Sequence, residues 1–344
     1  MHLLHCLLIG GTMKQLIQDD GQIPFGVYDN PPENINFLDF DLRDNMDRSV
    51  SLWGKKMRFN QFQFISLTGS DLVLGVAIVN LKWVSNCFVY LYQPSTKTFK
   101  EFSWLQPFSV STKTTTTPND GTWSFKKGNN KVEIKANDQH RELYIEIPDQ
   151  LTVNASIFNH QPGLNVCCRA GYSGWVFTHK NTALKVEGNI QWQNQKIELL
   201  DFKGAVDWSC GHMRRETFWN WASMSHTTIT GDTIGFNLAA GVNETSHTEN
   251  MLWVNETPIK LDRADFQFKR SNRMDTWQVK SSDGFIDLTF TPQGERKEKI
   301  NAGFIASNFT QLFGFFNGTV KNENGEIIEI KNALGFCEDH YAKW

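Results

Sequence analysis

Apolar and polar residues alternate with a two-residue period through much of the chain. Lys131-Val-Glu-Ile-Lys135, Glu142-Leu-Tyr-Ile-Glu-Ile147, Phe285-Ile-Asp-Leu-Thr-Phe290 and Glu326-Ile-Ile-Glu-Ile330 read as strands with one buried face. Leu72-Val-Leu-Gly-Val-Ala-Ile-Val-Asn-Leu81 is apolar almost throughout, the mark of a buried strand, and Cys87-Phe-Val-Tyr-Leu-Tyr92 follows it. Turn dipeptides and tripeptides punctuate these runs: Asp20-Gly21, Asp120-Gly121, Gly128-Asn129-Asn130, Asp283-Gly284, Asn317-Gly318 and Asn324-Gly325. No apolar stripe of helical period exceeds two turns. The pattern predicts an all-β protein of antiparallel barrels or sandwiches with few short helices.

The chain of 344 residues supplies strands for two closed sheets, and closure removes the exposed edges that invite aggregation. An even division places an N-terminal barrel at residues 13–190 and a C-terminal barrel at 191–344. Ser111-Thr-Lys-Thr-Thr-Thr-Thr-Pro118 reads as strand and loop, not as a linker. The residues Met1–Thr12 look like a truncated signal peptide without a basic n-region or a cleavage site, and an over-extended gene start at Met13 accounts for them.

Composition narrows the function. The chain has 12 Trp and 26 Phe, which favour strands and build apolar cavities or interfaces. With 34 basic and 37 acidic residues and no large basic cluster, nucleic-acid binding is not expected. No apolar run is long enough for an integral membrane segment. Six cysteines without CxxC spacing fit buried free thiols in a reducing, cytoplasmic setting. His, Asp and Glu show no metal-ligand spacing, so neither a metal nor another cofactor is expected.

The densest chemistry lies in Asp207-Trp-Ser-Cys-Gly-His-Met-Arg-Arg-Glu-Thr-Phe-Trp-Asn-Trp-Ala-Ser223. Read as a strand, residues 214–223 sort by face. Arg215, Thr217, Trp219, Trp221 and Ser223 point one way, a guanidinium beside two indoles. Arg214 and Glu216 point the other way, spaced to pair. Asp207 and His212 precede them in a Gly-containing loop, where a desolvated Asp is a general acid and a neighbouring His a proton relay. Core packing explains the tryptophans as well, ion pairing the arginines, and a turn-capping role Asp207. The tail Gly335-Phe-Cys-Glu-Asp-His-Tyr-Ala-Lys-Trp344 is a second candidate. Its Glu338, Asp339, His340 and Trp344 suggest that it docks back, beside the first motif or as a strand end anchored by a packed Trp. Asp207, Glu216 and Glu338 also leave a glycosidase-type carboxylate pair open.

These residues resemble a family. Gly174-Trp-Val-Phe-Thr-His-Lys180, the 207–223 motif, Gly235-Phe-Asn-Leu238, Glu249-Asn250 with Leu252-Trp253, Gln311-x-Phe-Gly314 and Gly335-Phe-x-Glu338 with the closing Trp344 resemble the mostly bacterial domain of unknown function 2804. Cys210 stands where a bulkier or basic residue is expected. A more distant similarity is to the two-domain lipocalin-like group of carotenoid hydratase, AttH and tocopherol cyclase, carried by Val186-Glu-Gly188, Asp207, Trp219-x-Trp221, Gly231-Asp232 and Gly335-Phe-Cys-Glu338. The Asp-His dipeptide of that group is absent, because Trp208 follows Asp207.

The resemblance implies two lipocalin-like, calycin-type antiparallel barrels packed in tandem and a site for an apolar or amphipathic small molecule. Asp207, His212 and Glu338 are then the candidate catalytic residues of a cofactor-free, acid-initiated hydratase, cyclase or isomerase. Arg214, Arg215, Glu216, Trp219, Trp221 and Trp175 are the candidate ligand-binding residues. A lipid or fatty-acid-like carrier without chemistry, whose arginines hold the ligand carboxylate, is the rival reading, and carbohydrate recognition a lesser one.

Overall fold

The computed structural model describes residues 8–242, 247–303 and 305–343. Cys6, one of the six cysteines, and Trp344, which closes the tail motif, lie outside the described residues. The chain is almost all strand, with one short α-helix, Leu52–Met57, among the described residues. Two antiparallel sheets follow one another along the chain. The first runs Thr98–Pro107, Val84–Gln93, Val73–Asn80, Asn60–Thr68, Lys203–His212, Gly174–Trp192, Leu151–Phe158, His140–Ile147, Asn130–Ala136, Gly121–Lys127 and Thr112–Lys113 in spatial order. The second is built around Glu216–Thr227, Ile327–Lys343, Ala306–Lys321 and Ile286–Asn301.

The expected division at 190/191 does not coincide with the change of sheet. Lys203–His212 inserts between Asn60–Thr68 and Gly174–Trp192 as an inner strand of the first sheet, so the chain crosses to the second sheet only between His212 and Glu216. Asn317-Gly318 is likewise not a turn. It forms a bulge inside Ala306–Lys321, where a Cβ on Gly318 would stand 2.3 Å from the Asp287 carbonyl oxygen.

Strand alternation explains the packing. In Asn60–Thr68, Ile65 and Leu67 enter the core of the first sheet, whereas Phe64 points out of it. Val73–Asn80 sends Leu74, Val76 and Ile78 inward and Val73 and Ala77 outward, which is why its sequence is apolar on both faces. Val84–Gln93 repeats the pattern with Cys87, Val89 and Leu91 against Phe88, Tyr90 and Tyr92. The outward set meets Trp221, Ala239, Phe313, Leu334 and Phe336 of the second sheet. Tyr92 stacks on Phe313 at 4.7 Å between ring centres, and Phe64 meets Trp221 edge-on at 6.0 Å. A third core therefore lies between the two sheet cores.

A bulge keys the sheets together. Gly174–Trp192 shifts register between Asn181 and Leu184, with Ala183 at φ 58°. The Ala183 amide donates to Ser225 Oγ at 2.9 Å, and the bulge rests on Gly235 of the second sheet. A Cβ at position 235 would stand 2.4 Å from Thr182 Oγ1 and 2.8 Å from Ala183 Cβ. Gly235→Ala is therefore expected to destabilise the fold by about 1–3 kcal/mol, read as a lower urea midpoint. An unchanged midpoint would show that the seam is not tightly packed there.

Candidate functional site

The site grows from two strands that lie abreast. Lys180 on Gly174–Trp192 is paired in register with Asp207 on Lys203–His212, which in turn is paired with Phe64. Residues opposite one another in an antiparallel pair share a face, so all three point at the second sheet. Lys180 Nζ lies 2.6 Å from Asp207 Oδ2 and 3.2 Å from Glu249 Oε2, the latter supplied by the segment leading into Met251–Val254. The side chains of Lys180 and Glu249 are 6% and 4% exposed and that of Asp207 14%. Thr178 and Ser209 form the next row, their hydroxyls 2.8 Å apart.

Lys180 here joins two buried carboxylates, and burial and neighbouring charge set the proton affinities. Burial raises the Asp207 pKa above its ordinary 3.8; Lys180 opposes the shift, while Glu249 and Glu338 reinforce it. Burial alone would lower the Lys180 pKa, but its two carboxylates outweigh it and hold the amine above its ordinary 10.5. Lys180 is thus a fixed cation, and Asp207 is a carboxyl with enhanced affinity for a proton.

The facing wall is the second sheet. Glu216–Thr227 and Ile327–Lys343 pair with Trp219 opposite His340 and Trp221 opposite Glu338, and Gln311 lies opposite Glu338 on its other side. The Trp219 indole donates to Glu338 Oε1 at 2.8 Å and the Gln311 amide to Oε2 at 3.2 Å. His340 Nδ1 lies 3.5 Å from the same carboxylate, with its ring 4.2 Å from that of Trp219. Trp221 donates to Asn237 Oδ1 at 2.8 Å, and Asn237 donates to the Glu249 carbonyl at 2.7 Å. That relay ties the tryptophan wall to the backbone that carries the third member of the ionic cluster. Trp219, Ser209, His340 and Phe62 are half-buried, so the seam reaches solvent along this edge.

Of the residues singled out in the sequence, Asp207, Glu338, Trp219 and Trp221 come together at the seam. The others do not. His212 stands five residues from Asp207 on the same strand, and an odd spacing puts it on the opposite face. It is buried among Phe37, Phe40, Phe59 and Trp175, and burial pushes its pKa down to about 4. It cannot relay a proton to Asp207, and the loop expected at 207–212 is a strand.

Trp175 is wholly buried in the same core. Arg215 and Glu216 are exposed, and Glu216 accepts from the Tyr341 hydroxyl at 2.7 Å instead of pairing with Arg214. Arg214 is half-buried in the crossover between the sheets. With Glu216 at the surface, the trio of Asp207, Glu216 and Glu338 considered for glycoside hydrolysis is not assembled. Asp339 faces away from Glu338 and pairs with Arg273, at 2.7 Å to Nε and 2.6 Å to Nη2.

Lys180, Glu249, Asn237 and Gln311 are not among the candidates read from the sequence, and His340 is named there only as part of the tail. Lys180 and Glu249 both fall inside sequence stretches quoted for the family resemblance, the one signal that pointed to them. No group of three metal-ligating side chains is assembled among the described residues. Two surface grooves of about 620 and 460 Å³ lie elsewhere, on the outer face and rim of the first sheet. Residues such as Glu133, Tyr144, Phe99 and Trp192 line them, far from this chemistry.

Removing the ammonium should expose the strain on Asp207. Lys180→Met leaves this carboxylate buried without the cation at 2.6 Å, a loss of about 3–5 kcal/mol at neutral pH. Without Lys180 the folded-state Asp207 pKa rises further above its unfolded value. The folded variant then binds more protons than the unfolded chain, and its stability recovers as pH falls towards 4. Urea unfolding at pH 7 and near pH 4 measures this, and a deficit that does not shrink on acidification contradicts the reading.

No curated protein sequence matches the chain significantly. Two solved structures share its fold. Kievitone hydratase from Nectria haematococca superposes with a TM-score of 0.52 at 13% identity, over 82% of this chain and 88% of that one. A protein assigned as AttH from Nitrosomonas europaea superposes with a TM-score of 0.51 at 12% identity, over 82% and 91%. The two curled sheets are thus lipocalin-like half-barrels in tandem. The model of the domain of unknown function DUF2804 matches residues 12–344, and the chain belongs to that family.

Proposed function

We propose that the protein binds an unsaturated, uncharged apolar or amphipathic small molecule at the seam between its sheets and catalyses an acid-initiated addition of water or a related cyclisation or isomerisation. The observation that carries this reading is the Asp207 carboxyl. It has one oxygen held by Lys180 and a raised proton affinity, and it faces the second sheet's wall of Trp219, Trp221 and Glu338. The fold shared with a hydratase supports it.

In the hydration form, the Asp207 carboxyl gives its proton to one carbon of a double bond, and positive charge develops on the other. The π faces of the tryptophans stabilise that charge, by about 0.5–2 kcal/mol each. Water adds to the cationic carbon and gives up a proton to Glu338, which Trp219 and Gln311 hold in place. Solvent at the open edge of the seam returns the proton to Asp207, so the carboxyls end as they began.

The carrier alternative needs a cation for a ligand carboxylate. Among the described residues Lys180 is paired on two sides and Arg215 lies outside, which favours an uncharged ligand. In heavy-oxygen water, incubation with a panel of small unsaturated amphiphiles should give a product carrying the heavy oxygen. Asp207→Asn should lower turnover by about 10²–10⁴-fold while leaving ligand retention in native mass spectrometry unchanged. Undiminished turnover in that variant removes the acid role, and a wild-type protein that retains its ligand unaltered is a carrier.

A further inference from the structure

One end of the first sheet bears an unusual surface. The strands Asn60–Thr68 and Val84–Gln93 begin there, and Val73–Asn80 and Thr98–Pro107 end there. The helix Leu52–Met57 sits at this end with none of its residues buried. Leu52 and Trp53 are 67% and 66% exposed, Trp83 and Phe108 both 52%, and Val110 81%. The aromatic rings are contiguous, with centres 6.1 Å apart from Trp53 to Trp83 and again from Trp83 to Phe108. Exposed large apolar side chains in one patch mark an interaction surface.

Charge identifies the partner. Residues 48–58, 80–87 and 102–117, which build this end, contain Arg48, Lys55, Lys56, Arg58, Lys82 and Lys113 and not one Asp or Glu. Arg48 pairs with Asp44, and Lys82 turns inward to donate to Gln61 Oε1 at 3.0 Å. No ion pair with a carboxylate engages Lys55, Lys56, Arg58 or Lys113 among the described residues. Arg58 lies within the field of Asp44, and Lys55 donates to the Leu38 carbonyl at 2.8 Å while keeping its charge. Two tryptophans, a phenylalanine and aliphatic side chains bordered by Lys55, Lys56 and Lys113 suit the headgroup boundary of a negatively charged bilayer. There indoles settle at the interface, and each nearby Lys or Arg adds electrostatic attraction.

We infer that this end of the first half-barrel docks the protein reversibly on anionic lipid membranes. The surface is separate from the seam, so the inference stands or falls independently of the proposed chemistry. In flotation assays the full chain should bind vesicles of phosphatidylcholine with a minority of phosphatidylglycerol and leave pure phosphatidylcholine vesicles unbound.

Lys55→Gln with Lys56→Gln should weaken that partitioning by about tenfold or more, as should raising the salt. Trp53→Ser with Phe108→Ser should weaken it comparably. Because the helix buries no side chain and Phe108 is exposed, unchanged circular dichroism and urea midpoints are expected for both pairs. Failure to bind anionic vesicles, or binding that neither pair alters, overturns the inference. So does a wild-type dimer in sedimentation velocity that the Trp53→Ser, Phe108→Ser variant dissociates, since the patch would then be covered by a second copy.

Discussion

Three neighbouring strands of the first sheet, Asn60–Thr68, Val73–Asn80 and Val84–Gln93, have little face left for water. Alternate residues fill the half-barrel, and those between them press against the second sheet. Much of the rest follows from this double burial. A layer of Phe64, Tyr90, Tyr92, Trp221, Phe313 and Phe336 excludes water; the Tyr90 and Tyr92 hydroxyls have no hydrogen-bond partner among the described residues, but the charged groups admitted to it require one. The pairings at the seam answer that demand: Arg296 with Glu101, Trp221 with Asn237, and Lys180 with Asp207 and Glu249. The chemistry of the site is a product of the packing around it.

The two-residue period was legible along the chain, and so was the apolar character of Leu72–Leu81, because alternation is local. The common orientation of Trp219 and Trp221 was legible for the same reason. Asp207–His212 was misread as a loop, since Gly211 and the polar residues mimic turn chemistry. Yet Trp208, Cys210 and His212 alternate inward as a buried strand requires, and Gly211 is there because a Cβ would stand 2.1 Å from the Trp175 carbonyl oxygen. The partners of Asp207 were not legible at all. Lys180 meets it only because one strand is inserted beside another, and Glu249 only because a second sheet closes over both. A lone lysine in a strand looks like a surface residue until a distant carboxylate is placed against it.

Asp207 sits where a negative charge is unwelcome: it is buried, and Glu249 and Glu338 raise its affinity for a proton against the pull of Lys180. Such a site is most comfortable when it holds an extra proton, or when something cationic forms beside it. That preference is the electrostatic counterpart of a reaction that passes its proton to a substrate and generates carbocation character in return. A site built to hold a ligand carboxylate would have the opposite preference.

The bulge at Ala183 seated on Gly235 acts as a key in a notch, with the Ala183 amide bonded to Ser225 as its latch. Sliding one sheet along the other would drive the Ala183 methyl and the Thr182 hydroxyl into any neighbouring position that carries a side chain, so shear is blocked. Beside the Trp219 and His340 edge, Arg296 of the second sheet reaches Glu101 of the first at 2.8 and 2.7 Å, with its guanidinium over Phe309, which packs on His340. The sheets are thus riveted at both the bulge and this edge, so Asp207 and the tryptophans keep a fixed spacing.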